Sequence, residues 1–202
     1  TKCFMICLLY ILGKVCLIYL FWYGLWLFWF LKILNQIKIN DHLDSIVCAF
    51  MINKIKDFDV FKKALNRYVN TIDNWASCDT LKFNRWDKQD LISLSKKYLS
   101  SNKEFIKRVG INFYFEIIKD KQYLNTAFKV LDNLQNEKHY YVNMVGAWLL
   151  AECFAKYRKE TLAYFKNTKT NDFIVNKAIS KCRDSFRVCK ADKELLKMYK
   201  RK

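Results

Sequence analysis

Turn-forming residues are nearly absent from this chain. Its 202 residues include no proline and only four glycines. Tight β-turns and phosphate-binding loops depend on these two residue types, so sandwiches, barrels, Rossmann folds and P-loop enzymes are disfavoured. The sequence therefore favours an all-α fold, and its length suits one domain with its own hydrophobic core.

Apolar residues recur with a helical period from residue 41 onward. In the first segment, with Asp41 as predicted N-cap, the pattern predicts an amphipathic helix of about four turns. The apolar residues of that helix are Leu43, Ile46, Val47, Phe50, Met51 and Ile55. Similar patterns cover residues 58–69, 87–99, 102–118, 123–134, 140–157, 171–184 and 192–200. Helices of this length with short polar connections predict antiparallel helix pairs, stacked as a HEAT-like α-solenoid.

The charge of the chain is strongly positive and unevenly distributed. The formal net charge is +17, which indicates an anionic partner such as nucleic acid or an anionic membrane surface. Residues 1–39 contain four lysines and no acidic residue, so the remainder carries 32 basic against 19 acidic side chains. The basic character therefore belongs mainly to the predicted helical domain, residues 40–202.

Residues 1–39 form a separate, strongly apolar segment in this prediction. Seventeen consecutive residues from Val15 to Leu31 carry no charge, which is the lower edge of a membrane span. Three interpretations fit: a membrane helix, a buried helix pair or a corrupted start of the chain. A secretory signal is disfavoured, because no Ala-x-Ala cleavage site follows.

The eight cysteines show no metal-binding or disulfide pattern. No two of them form a CxxC pair, and only His42 and His139 could assist them. We interpret the cysteines as reduced, mostly buried thiols of a cytoplasmic protein without a structural zinc site. The GxSxG, HExxH and glycine-rich phosphate-loop motifs are also missing, which argues against the familiar hydrolases.

The segment from Asp73 to Asp79 has the features of a site. With Asp73 or Asn74 as N-cap, Trp75 and Asp79 lie one turn apart on one helix face. A large π surface and a carboxylate then point the same way. The alternative is structural: Trp75 packs in the core and Asp79 pairs with a lysine.

Two further residues, Arg108 and Trp148, also allow a structural interpretation beside a functional one. Arg108 lies beside the apolar ridge of its helix, where an isolated arginine usually extends to solvent. Trp148 follows Tyr141 and Met144 at helical spacing, which is typical of a core residue.

Taken together, four segments resemble the DNA alkylation repair family of HEAT-like-repeat DNA glycosylases. The segments are DNWASCD at 73–79, FIKRVG at 105–110, YYVNMVGAW at 140–148, and NKAI at 176–179 with DSFR at 184–187. They occur in the family's order and approximate spacing, from about residue 42 to the C-terminus. The resemblance implies excision of cationic N-alkylated purines, such as 3-methyladenine and 7-methylguanine, from double-stranded DNA.

The resemblance also assigns roles to particular residues. It implies that Asp79 is the catalytic carboxylate, that Trp75 and Trp148 are aromatic walls of the substrate cleft, and that Arg108 contacts DNA. Lys107 and Arg187, in the same segments, are further predicted DNA contacts. The chemistry needs no metal or other cofactor, because a cationic base is already a good leaving group and the carboxylate stabilises the oxocarbenium-like sugar. A monomer is expected.

The sequence departs from the family at two places. Ala151 stands where the best-known members have an arginine, three residues after the second tryptophan. The amino-terminal Gly-Val-basic-x-Pro segment is reduced to Gly13-Lys14-Val15. The alternative to a glycosylase is a non-enzymatic HEAT-type adaptor that binds nucleic acid or an anionic membrane surface. Residues 15–31 would tether such an adaptor to a membrane.

Overall fold

The computed structural model describes residues 42–201, and this part of the chain contains helices and no strand. The all-α fold class predicted from turn composition and periodicity is confirmed. The α-helices are α1 (His42–Ile52), α2 (Phe58–Tyr68), α3 (Trp75–Asp79), α4 (Lys88–Leu99), α5 (Glu104–Asn112), α6 (Tyr114–Ile117), α7 (Leu124–Asp132), α8 (Tyr140–Lys156), α9 (Arg158–Asn167), α10 (Asp172–Asp184) and α11 (Lys190–Leu195). Short 3-10 helices cover Lys121–Tyr123 and Leu196–Tyr199.

Polar caps start several of these helices where the sequence places them. Asp57 accepts a hydrogen bond from the Val60 amide at 2.9 Å, and Asp87 accepts one from the Gln89 amide at 2.7 Å. Asn171 caps α10 in the same way. Each side chain satisfies an amide that would otherwise have no partner in the first turn.

The predicted helix boundaries fail at three places. The predicted helix 102–118 is interrupted at Phe113, whose buried ring packs on Phe83 and Tyr98. Helix α9 was not predicted, because only Thr161 and Phe165 of its ten residues are buried and no apolar period results. The predicted helix 192–200 begins two residues earlier and changes to a 3-10 helix at Leu196.

The predicted buried face of α1 is wrong at three positions, although Ile55, just beyond the helix, is buried as predicted. Leu43, Val47 and Phe50 are exposed, while the smaller residues Ser45, Cys48 and Ala49 are buried with Ile52. The Ser45 side chain hydrogen-bonds to the Tyr68 hydroxyl at 3.1 Å, and that hydroxyl also donates to the Ser45 carbonyl. These hydrogen bonds of Ser45 hold the face of α1 that carries its small residues against α2. The predicted N-cap, Asp41, lies outside the described residues.

The helices that surround the site pack in succession along the chain. Helix α4 packs on α5, α5 packs on both α3 and α8, and α8 packs on α10. Two glycines permit close approaches: a Cβ on Gly110 would lie 3.1 Å from Tyr98 Cβ, and one on Gly146 would lie 3.1 Å from side-chain atoms of Ile174 and Leu134. The packing agrees with stacked helix pairs, and the curvature of a solenoid stays a prediction.

The domain boundary predicted at residues 39 and 40 stays a prediction. The chain divides into two units, residues 1–44 and 45–202. The predicted apolar segment 1–39 and its candidate span 15–31 lie outside the described part. Among the helices of residues 42–201, none has the length and hydropathy required to cross a bilayer.

Candidate active site

The short helix α3 presents a tryptophan and a carboxylate together. Asn74 is its N-cap and accepts a hydrogen bond from the Ser77 amide at 2.9 Å. Trp75 is 52 % exposed and Asp79 lies one turn later. Both line one open cleft of about 310 Å³. The structural alternative, a core position for Trp75, is therefore wrong.

The Asp79 carboxylate is held by two side chains of α5. Oδ1 accepts hydrogen bonds from Arg108 Nε and from Asn112 Nδ2, each at 3.0 Å. Oδ2 accepts one from Arg108 Nη2 at 2.7 Å. The bidentate arginine fixes both the position and the plane of the carboxylate. Asp79 therefore pairs with an arginine, not with a lysine, and its side chain keeps 18 % exposure towards solvent.

Asn112 completes this arrangement. Its amide nitrogen also donates to the Cys78 carbonyl at 3.3 Å, while its Oδ1 accepts no hydrogen bond from residues 42–201. The reversed amide would place Oδ1 against the Asp79 carboxylate, so the observed orientation is the favourable one.

Arg108 is a buried positioning group in this structure. It is 5 % exposed, and its Nη1 donates to the Tyr141 carbonyl at 2.8 Å. The neighbouring Glu104 accepts a hydrogen bond from the Tyr141 amide at 2.6 Å. One guanidinium thus joins α3, α5 and the first turn of α8. The expectation of an exposed arginine extending to solvent is wrong, and a direct contact of Arg108 with DNA stays a prediction.

Trp148 borders the same cleft from α8. It is 42 % exposed, so the structural interpretation as a core residue is wrong. Its indole packs on the Phe115 ring with centroids 4.8 Å apart, and Lys181 Nζ lies 5.9 Å from its ring centroid. The cleft is completed by Arg108, Tyr140, Tyr141, Met144 and Lys181. The structure therefore brings Trp75, Asp79, Arg108 and Trp148 together.

Asp79 and Trp148 also border a second open cleft, of about 380 Å³. Its other lining residues are Leu81, Lys82, Phe83, Asn84, Asn112, Phe115, Glu116 and Lys119. The carboxylate is therefore accessible from two directions, with basic side chains beside it on both.

The other two predicted DNA contacts are engaged in ion pairs. Lys107 Nζ lies 2.6 Å from Glu137 Oε2. Arg187 Nη1 donates to Glu152 Oε1 at 3.0 Å. Neither residue lines the cleft of Trp75 and Asp79, although Arg187 borders a neighbouring cleft together with Trp148 and Ala151. Their predicted roles in DNA binding stay predictions.

Three of the buried cysteines offer no nucleophile. Cys78 adjoins Asp79 in sequence, but burial raises the pKa of its thiol far above the ordinary value, and the thiol faces the Asn74 and Phe105 carbonyls. Burial likewise raises the pKa of Cys153 and of Cys182 to about 12. These groups remain protonated near neutral pH. Residues 42–201 contain no cluster of three or more side chains suited to hold a metal ion.

Comparison with known proteins identifies the family. The family model of the DNA alkylation repair enzymes matches residues 34–182. The chain belongs to this family. No curated protein and no solved structure matches the chain. The family match includes Trp75, Asp79, Arg108 and Trp148, ends before Arg187, and supports a role in DNA repair with DNA as substrate or partner.

Several site residues were not predicted from the sequence. Asn112 lies four residues after Arg108, so helical spacing could have placed both on the face of α5 that meets Asp79. Tyr140 and Lys181 line the cleft only because α8 packs on α10. No local sequence pattern indicates that these two residues lie near Asp79.

Proposed function

We propose that this protein is a DNA glycosylase that excises cationic N-alkylated purines, such as 3-methyladenine and 7-methylguanine, from duplex DNA. The observation that carries the proposal is the Asp79 carboxylate, fixed by Arg108 and Asn112 in an open cleft between two exposed tryptophans. Membership in the DNA alkylation repair family supports it.

The carboxylate supplies the charge that base excision requires. An N-alkylated purine is already positively charged, so it leaves without a general acid, and the sugar becomes oxocarbenium-like. A carboxylate that is already oriented stabilises this charge as it develops, with no reorganisation at the moment of reaction. Arg108 offsets part of the negative charge, but the exposed edge of Asp79 still faces the cleft.

The tryptophans favour a cationic lesion over a neutral base. An indole face attracts a cation by roughly 0.5–2 kcal/mol, depending on desolvation. Lys181 already occupies such a position over Trp148, whereas no lysine or arginine of residues 42–201 lies over Trp75. Trp75 is therefore the indole we expect to receive the charged base.

The adaptor hypothesis does not account for this arrangement. A carboxylate beside a DNA-binding surface repels phosphate. This charge is useful in an enzyme and unfavourable in a passive scaffold.

Replacing Asp79 tests the proposal directly. Asp79→Asn removes the negative charge, and we expect excision of 7-methylguanine in single-turnover assays to slow by about 100- to 1000-fold, as for deletion of other electrostatic groups. Binding to undamaged duplex should be unchanged or slightly tighter. Asp59→Asn, which alters an exposed ion pair with Lys62, is the matched control and should excise at the wild-type rate.

A second variant distinguishes a catalytic defect from a folding defect. Asp79→Asn leaves the buried Arg108 without its anion, which destabilises proteins strongly. Asp79→Glu keeps the ion pair and moves the carboxylate by one methylene. If it melts like the wild type and still loses most of its rate, carboxylate position controls catalysis. Wild-type protein that releases no alkylated purine, or Asp79→Asn protein that releases it at the same rate, refutes the proposal.

A further inference from the structure

Two exposed aromatic rings stand at the rim of the cleft. Tyr140, the first residue of α8, is 54 % exposed, and Phe173, in the first turn of α10, is 36 % exposed. Their rings meet edge to face, with centroids 5.9 Å apart and an interplanar angle of 68°. Tyr140 also contacts Tyr141, which packs on Phe105. Tyr140 therefore packs on an inner aromatic residue, while the rings of Tyr140 and Phe173 remain open to solvent.

These rings continue the aromatic lining of the cleft. Tyr140 lines it together with Trp75 and Trp148, so three exposed aromatic side chains share the cleft of Asp79, and Phe173 extends this group through Tyr140. Single exposed apolar residues are common on protein surfaces, but a contiguous group marks a binding surface.

Lysines accompany the rings along α10. Phe173, Lys177 and Lys181 follow one another at four-residue spacing, which places them on one helix face. Lys177 Nζ lies 5.9 Å from the Phe173 centroid, and Lys181 Nζ lies 5.9 Å from the Trp148 centroid. Neither lysine has a carboxylate partner among residues 42–201.

Alternation of aromatic faces and cations matches the chemistry of an unpaired nucleotide. An unstacked base offers a π face to an aromatic ring, and its phosphates bind lysines. A fully paired duplex hides its base faces and offers only phosphates and groove edges. Exposed rings beside lysines therefore suit unpaired DNA better than paired DNA.

We propose that Tyr140 and Phe173 form a stacking platform for an unpaired base next to the lesion, with Lys177 and Lys181 on its phosphates. The identity of the strand as DNA rests on the proposed function. The platform makes locally unpaired DNA the preferred substrate of the cleft.

Binding of undamaged DNA in three forms tests the platform. One labelled oligonucleotide is used single-stranded, fully paired, and paired with one unpaired 2-aminopurine. Fluorescence anisotropy compares wild-type protein with the double variant Tyr140→Leu/Phe173→Leu, which keeps apolar bulk and removes both rings. We expect a loss of about 10- to 100-fold in affinity for the two unpaired forms. Affinity for the paired form should stay within about twofold, because the phosphate contacts remain.

Control variants distinguish a loss of base stacking from a general effect of changing exposed aromatic residues. Tyr140→Phe keeps the ring and should bind like the wild type. Phe50→Leu alters an exposed phenylalanine of α1 and should change none of the three affinities. The fluorescence of 2-aminopurine should be quenched by wild-type protein and remain unquenched with the double variant. Melting temperatures confirm that each variant is folded.

The outcomes distinguish this proposal from the proposed function. Equal losses on all three DNA forms, or no loss on any, would overturn the platform. Loss of binding to anionic phospholipid vesicles with DNA binding intact would assign the rings to a membrane instead. Excision of 7-methylguanine is measured separately, so a protein that stacks unpaired bases without excision keeps the platform and loses only the glycosylase proposal.

Discussion

The carboxylate of Asp79 accepts three hydrogen bonds from two side chains of a single helix. A carboxylate has about four lone-pair positions, so roughly one remains for a substrate. Arg108 and Asn112 thereby determine the direction in which the charge can act. The Arg108 guanidinium also neutralises part of that charge.

Arg108→Lys distinguishes positioning from phosphate binding. Lysine keeps the positive charge and loses the planar fork, so it cannot hold both carboxylate oxygens in one plane. We expect 7-methylguanine excision in single-turnover assays to fall by about 10- to 100-fold, as orientation is lost. The dissociation constant for undamaged duplex should stay within about twofold of the wild-type value.

The opposite pattern would contradict this role. If Arg108→Lys retains the excision rate but binds modified and unmodified duplex more weakly, the arginine acts on phosphate, as the family resemblance implied. Thermal melting of the variant serves as the folding control.

At the scale of elements, α5 and the start of α8 form the frame of the site. Glu104, Arg108 and Asn112 recur every four residues on α5 and bind the first turn of α8 and the end of α3. Just before α8, Glu137 accepts hydrogen bonds from the Lys107 ammonium and from the His139 amide and ring. The entrance of α8, which carries Tyr140 and Tyr141, is thus fixed by two glutamates.

The Glu137 cluster predicts a loss of stability in acid. Burial alone raises the pKa of Glu137, but hydrogen bonds from Lys107 and His139 outweigh it and lower that pKa to about 2. A depressed folded-state pKa contributes stability that is complete above about 4.5 and is lost as the pH falls towards 2. The contribution should be about 1–2 kcal/mol after solvent screening.

Urea unfolding at pH 7, 5, 4 and 3 measures this contribution. The difference in unfolding free energy between wild type and Glu137→Gln should be largest at pH 7 and shrink below pH 5. Glu194→Gln, in an exposed ion pair with Lys197, should change stability little throughout. A Glu137 difference that is constant with pH would contradict the ionic origin.

At the scale of the whole molecule, local patterns predict elements better than their assembly. Periodicity found α2, α4, α8 and α10, because each buries an apolar face. It found α1 but assigned much of its buried face wrongly, and it missed α9, which buries little. The spacing of Trp75 and Asp79 predicted one half of the site. The other half, Arg108 and Asn112, meets Asp79 across about thirty residues of chain. Helical spacing places these two residues on one face of α5, and the family resemblance named Arg108, but only tertiary packing brings that face to Asp79.

The net charge of the whole chain predicts a salt-dependent affinity for duplex DNA. The surplus of basic side chains should supply duplex affinity through phosphates, with release of counterions. For roughly four to six phosphate contacts, the logarithm of the association constant should fall with the logarithm of salt concentration at a slope of about −3.6 to −5.4. Fluorescence anisotropy between low and physiological salt gives the slope. Lys177→Met/Lys181→Met should reduce its magnitude by about 0.9 per lysine, while Lys62→Met, whose ammonium already pairs with Asp59, should leave it unchanged. A slope near zero would show that phosphates contribute little, and the positive charge would then require a different anionic partner.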